Sequence, residues 1–109
     1  MGFAASQARF LILTARKSDL ELQGQFINQA RLSLANITGD LFALSANLEP
    51  ESPQMLALQA RIASLQAIDK ALELQLRRVD TQRDAVQTEI DAVRKVIGKN
   101  IASTFKTFV

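Results

Sequence analysis

From Met55 to Ile97 aliphatic residues recur at alternating intervals of three and four. Every seventh residue from Leu58 (Leu58, Leu65, Leu72, Val79, Val86 and Val93) is aliphatic. The interleaved series Met55, Ile62, Asp69, Leu76, Arg83, Ile90 and Ile97 is aliphatic except at Asp69 and Arg83. These are the d and a positions of a coiled coil, sustained for about six heptads. A helix of this kind carries an apolar seam along its whole length, and another element must cover it.

The covering element is expected in the same chain. A second series of the same period runs Leu13, Leu20, Ile27, Leu34, Leu41 and Leu48. Its companion positions are read as Arg16, Gln23, Ala30, Ile37 and Leu44, polar at first and apolar later. Ser18 to Glu21 resembles a capping box, and Asn36 to Asp40 contains a stop-and-start signal. The heptad phase nevertheless crosses Gly39 without a skip, and an interior glycine costs only about 1 kcal/mol relative to alanine. One continuous helix is therefore expected, with a kink at Gly39 as the alternative.

The break falls between Leu48 and Pro53. Pro50 biases Glu49 away from the helical region. Ser52 suits an N-cap, and Pro53 suits the first helical position, where its missing N–H costs nothing. The reading is an all-α fold: a long antiparallel two-helix coiled-coil hairpin in a single domain, completed by oligomerisation. Helix 1 is expected over about 4–48, the turn over 49–52 and helix 2 over about 53–98. Gly98 is expected to end or bend helix 2, leaving a short apolar segment, 99–109.

If Leu48 faces Met55 across the turn, facing residue numbers sum to roughly 103. Arg83 then lies beside Leu20 and Asp19, while Asp69 lies near Leu34, a turn from Arg31. A charge in a seam needs a partner, so Arg83–Asp19 and Asp69–Arg31 pairs are expected to mark the register. The competing reading is that both side chains snorkel out of the seam. Phe3 is placed near Asn100 and Phe10 near Val93.

Composition excludes much chemistry. The chain has no His and no Cys, so the usual zinc ligands and the commonest acid–base side chain near neutral pH are missing. No carboxylate cluster has calcium-loop spacing, and no nucleophile elbow or glycine-rich phosphate loop is present. No catalytic, cofactor-binding or metal-binding residues are assigned, and a non-enzyme without cofactors is expected. Lys plus Arg number 13 against 11 Asp plus Glu, with signs interspersed along helix 2. Glu73–Arg77 and Asp91–Lys95 have the favourable i, i+4 order. Only Arg77-Arg78 forms a basic doublet, so a nucleic-acid partner is not expected.

The ends and one flank remain to be covered. Residues 3–15 are strongly apolar but too short to span a membrane and are interrupted by Arg9; an interface helix is favoured over membrane contact. They lack the basic lead of a cleavable signal, so the compartment is read as cytoplasmic, or extracellular by a route using an uncleaved N-terminus. Ile101, Phe105 and Phe108 form a further helical stripe, and with Phe3 and Phe10 they gather at the open end of the hairpin. Leu56, Ala60, Ala63, Ala67, Ala71 and Leu74 share another face, on which small side chains permit close approach. The expected assembly interface comprises Phe3, Phe10, Leu11, Leu13, Ile101, Phe105, Phe108, Ala60, Ala63, Ala67 and Ala71.

Two resemblances accompany this reading. The opening MGFAASQARFLILTARKSDLELQGQ and the closing IDKALELQLRRVDTQRDAVQTEIDAVRKVIGKNIASTFKTF resemble an uncharacterised family of short helical proteins. Its members come from gut-dwelling, non-photosynthetic relatives of cyanobacteria, which implies a bacterial protein and no particular activity. Pro50-Glu51-Ser52-Pro53-Gln54-Met55-Leu56 is similar to the P-x-x-P turn of type III secretion needle subunits, helical hairpins that polymerise into an extracellular tube. Ile97, Ile101 and Phe105 are comparable to the isoleucine-rich end of those subunits. This chain is longer, with a better heptad in helix 2 and a more apolar N-terminal segment.

The expected function is a non-enzymatic structural subunit assembling with itself into a helical oligomer or filament. The alternative is a coiled-coil adaptor or chaperone that binds another helical protein.

Overall fold

A computed structural model describes the backbone of residues 2–108 and side chains as far as residue 106. It is an all-α helical hairpin: α1 spans Phe3–Ser45 and α2 spans Pro53–Phe108. Packing divides it into two units, one formed by Met1–Gln23 with Val79–Val109 and the other by Gly24–Arg78.

The connection is built as its residue types predict, though it starts earlier than expected. Beyond Ser45 the chain closes three successive i to i+3 bonds, from the N–H groups of Ala46, Asn47 and Leu48 to the carbonyls of Ala43, Leu44 and Ser45. This tightened turn takes up carbonyls that the helix end leaves free, so α1 stops three residues short of Leu48. Pro50 and Glu51 then occupy the centre of a turn closed by Ser52 N–H donating to Glu49 O at 3.2 Å. Glu51 has φ 62°, the left-handed conformation that the third position of a type II turn requires. Ser52 caps α2 through its Oγ, which accepts from Met55 N at 3.1 Å, and Pro53 begins the helix.

None of the three glycines inside the helices, Gly24, Gly39 and Gly98, interrupts its helix. α1 is continuous through Gly39, and α2 runs ten residues past Gly98 to Phe108. The expected end at Gly98 is corrected: α-helical bonding of the following turns outweighs a penalty of about 1 kcal/mol for one glycine.

The seam of α2 is the expected one. Leu58, Ile62, Val79, Val86, Ile90 and Val93 are buried, and Met55, Leu65, Leu72, Leu76 and Ile97 are half-buried. On α1 the series from Leu13 to Leu41 also lies inward, extended by the fully buried Ser6 and, in the connection, by the half-buried Leu48. Its companion positions differ from the expectation. The inward set is Phe10, Lys17, Gly24, Arg31, Thr38 and Ser45, whereas Arg16, Gln23, Ala30, Ile37 and Leu44 are exposed. The two sets are one residue apart, a rotation of about 100° around the helix.

That rotation has a consequence inside the turn-side unit. The inward companions there are Gly24, Arg31, Thr38 and Ser45, too small or too polar to fill a seam. Ile27, Leu34, Leu41, Leu65 and Leu72 are accordingly only half-buried, while Ile37 and Leu44 face outward.

Candidate functional site: the uncovered apolar faces

The register marks divide. Arg31 and Asp69 meet as expected: Arg31 Nε donates to Asp69 Oδ1 at 2.9 Å and Nη2 donates to Oδ2 at 3.4 Å. Charge-assisted donation holds the Asp69 carboxyl below its ordinary range and raises the Arg31 guanidinium, with burial opposing both shifts more weakly.

Arg83 does not pair with Asp19. Its guanidinium stays on α2, 3.7 Å from Asp80 and 3.5 Å from Asp84. Two carboxylates within one helical turn are nearer than any across the seam, and outward snorkelling keeps the charge hydrated. Asp19 is exposed and has no ion pair among the described residues.

The open-end unit contains an interhelix pair that the heptads did not reveal. Arg9 Nη2 lies 2.8 Å from Glu89 Oε2, both about half exposed. The Arg94 guanidinium stands 5.5 Å from the centroid of the Phe10 ring, a cation–π distance. Phe10 was expected near Val93, and the charge on the next residue was the available signal. On α2, Glu73 accepts from Arg77 at 2.7 Å as anticipated, whereas Asp91 accepts from Gln87 Nε2.

The expected assembly residues fall into three groups. Leu13 is buried in the seam, which corrects its assignment to an outer interface: it continues the Leu20 series, and α2 covers it. Phe10 is half-buried beneath Arg94. Phe3, Leu11, Ile101, Phe105, Ala60, Ala63, Ala67 and Ala71 are exposed. Phe3, Ile101, Thr104 and Phe105 line an apolar groove of about 360 Å³. The side chain of Phe108 lies outside the described residues.

Sequence reasoning missed the exposed apolar groups in the middle of α1. Phe26, Ile37 and Leu44 are exposed on one side of its seam, Leu32 and Phe42 on the other, and Leu22 on the back of the helix. The signal was present: Ala30, Ile37 and Leu44 lie one residue from Arg31, Thr38 and Ser45, so the two series cannot both face α2. Within Gly24–Arg78, a groove of about 650 Å³ has a mixed lining, with Leu32, Ala35, Gly39 and Phe42 alongside the polar Asn28, Thr38 and Gln66 and the Arg31–Asp69 pair.

Among the described residues no group of His, Cys, Asp or Glu could hold a metal ion, and no helix is long and apolar enough to cross a membrane. The arrangement is one of packing surfaces: an α-helical hairpin with an internal seam and apolar faces around it. No protein-family model matches the chain, and no curated protein or solved structure is significantly similar to it.

Proposed function

We propose that this chain is a non-enzymatic structural subunit that assembles with itself through the apolar faces its hairpin leaves uncovered. One observation carries the reading. Among the described residues, 14 large hydrophobic side chains are exposed while eight apolar ones are buried. Single exposed hydrophobics are ordinary, but runs along helix faces mark surfaces that another chain covers. The uncovered groups lie at the open end (Phe3, Leu11, Ile101, Phe105) and along both helices of the turn-side unit. Faces distributed in this way suit contact with several neighbours, as in a helical oligomer or filament of the needle type.

Light scattering on the size-separated protein, followed by electron microscopy, tests the reading. Uniform large polymers are the expected result. A protein that stays monomeric across the micromolar range, or forms a defined complex only with a different helical protein, refutes self-assembly and favours an adaptor.

A further inference from the structure

Charge is segregated along this chain. Residues 1–18 carry Arg9, Arg16 and Lys17, and residues 92–109 carry Arg94, Lys95, Lys99 and Lys106, with no acidic side chain in either stretch. Both stretches belong to the open-end unit. Residues 32–60, in the turn-side unit, are the reverse: they carry Asp40, Glu49 and Glu51 and no basic side chain. The bases on either side of them are Arg31, which Asp69 holds, and Arg61.

Most of these charges face solvent without a partner. Arg9 and Lys17 are paired with Glu89 and Glu21, and Arg94 lies over Phe10. Arg16, Lys95, Lys99 and Lys106 are exposed and make no ion pair among the described residues, and the same holds for Asp40, Glu49 and Glu51. Two patches of opposite sign are left for another molecule to neutralise.

Each patch also carries apolar surface. At the open end Phe3, Ile101, Thr104 and Phe105 line a groove of about 360 Å³. Around the connection a groove of about 550 Å³ is lined by Leu44, Leu48, Ala57 and Leu58, together with Gln54 and Arg61. Apolar burial attracts without direction, whereas charge decides which patches meet. Open end against open end would oppose cations to cations, and turn against turn would oppose carboxylates to carboxylates. Only the unlike patches meet without repulsion.

Resting on the self-assembly reading, we propose that the basic open end of one copy receives the acidic turn of a second copy. Exposed ion pairs are individually weak and screened by salt, so the charges set direction while the apolar grooves hold the copies together. The contact joins two different patches and is heterologous. Each added copy presents a free open end or a free turn, so assembly continues into a ring or an open filament.

Complementary charge reversal reads this contact. R16E/K95E/K99E/K106E reverses the unpaired cations of the open end, and D40K/E49K/E51K reverses the carboxylates of the turn. All of these positions are exposed and outside the ion pairs of the described residues, so circular dichroism should show both variants as helical as wild type. By light scattering each alone is expected to assemble at least about tenfold more weakly than wild type, because its two patches now repel. An equimolar mixture regains assembly, since the open end of each variant meets a turn of opposite sign on the other. Either variant assembling alone like wild type, or a mixture that stays apart, overturns this contact and leaves self-assembly standing. A wild-type chain that never leaves the monomer overturns both, and its pelleting with phosphatidylglycerol vesicles would then assign the basic end to an anionic membrane surface. The wild type supplies a readout that needs no variant: its assembly weakens as salt rises past about 0.1 M, where charges are screened beyond about 10 Å. Assembly unchanged or strengthened by salt overturns the proposal.

Discussion

Arg31 and Asp69 join the two helices of the turn-side unit through a two-point contact, Nε to Oδ1 at 2.9 Å and Nη2 to Oδ2 at 3.4 Å. The pair stands at the seam position where two aliphatic residues would otherwise be expected. Its side chains remain 30% and 39% exposed, so solvent screens it and its role is positional more than energetic.

The depressed Asp69 carboxyl makes stability depend on pH. A native carboxyl held below its unfolded value of about 3.9 contributes stability well above that pH, and loses it as pH falls through the native value. Thermal melts followed by circular dichroism should show an acid limb below about pH 5 that flattens in Asp69→Asn. An identical limb in the variant assigns the loss to other carboxylates.

Arg83→Leu should stabilise the hairpin by about 1 kcal/mol, because an aliphatic group at an a position gains burial. The Asp80 and Asp84 contacts it gives up are long, exposed and weak. Chemical denaturation measures the change; a loss of stability would mean that the charge is needed in the seam.

Truncation separates the seam from the outer faces. Ile90 is 3% exposed, and Ile90→Ala should cost about 2–4 kcal/mol. Ile37→Ala and Leu74→Ala, on exposed positions, should each stay within about 0.5 kcal/mol in the dilute monomer. A large loss at Ile37 would restore the Ala30–Ile37–Leu44 series to the seam.

Ser6 is fully buried and its Oγ has no hydrogen-bond partner. Removing an unsatisfied buried hydroxyl should raise stability, so Ser6→Ala is expected to gain about 1 kcal/mol. A loss on denaturant melting would show that the hydroxyl finds a partner in solution.

Glu51 holds φ 62° without being glycine, a conformation that costs an L-residue about 1–2 kcal/mol. Glu51→Gly relieves the strain while loosening the unfolded chain, for an expected net gain of about 0.5–1 kcal/mol. An unchanged or lowered midpoint in denaturant would place the turn's preference elsewhere.

The sequence by itself determined the two helices, the Pro50–Pro53 connection with its Ser52 cap, the full seam of α2 and the Arg31–Asp69 pair. Each follows from local chemistry or from a period that only one helix face can satisfy. It did not determine which neighbour of the Leu13–Leu48 series turns inward, because α1 carries two candidate sets one residue apart. Apolarity favoured Ala30, Ile37 and Leu44; the folded hairpin instead places Gly24, Arg31, Thr38 and Ser45 inside. The folded hairpin takes the rotation that delivers Arg31 to the seam carboxylate of Asp69 at the cost of the more apolar set. The same rotation turns Ile37 and Leu44 outward and opens the groove beside Gly39, so the surfaces left for a partner were set by how the two helices met.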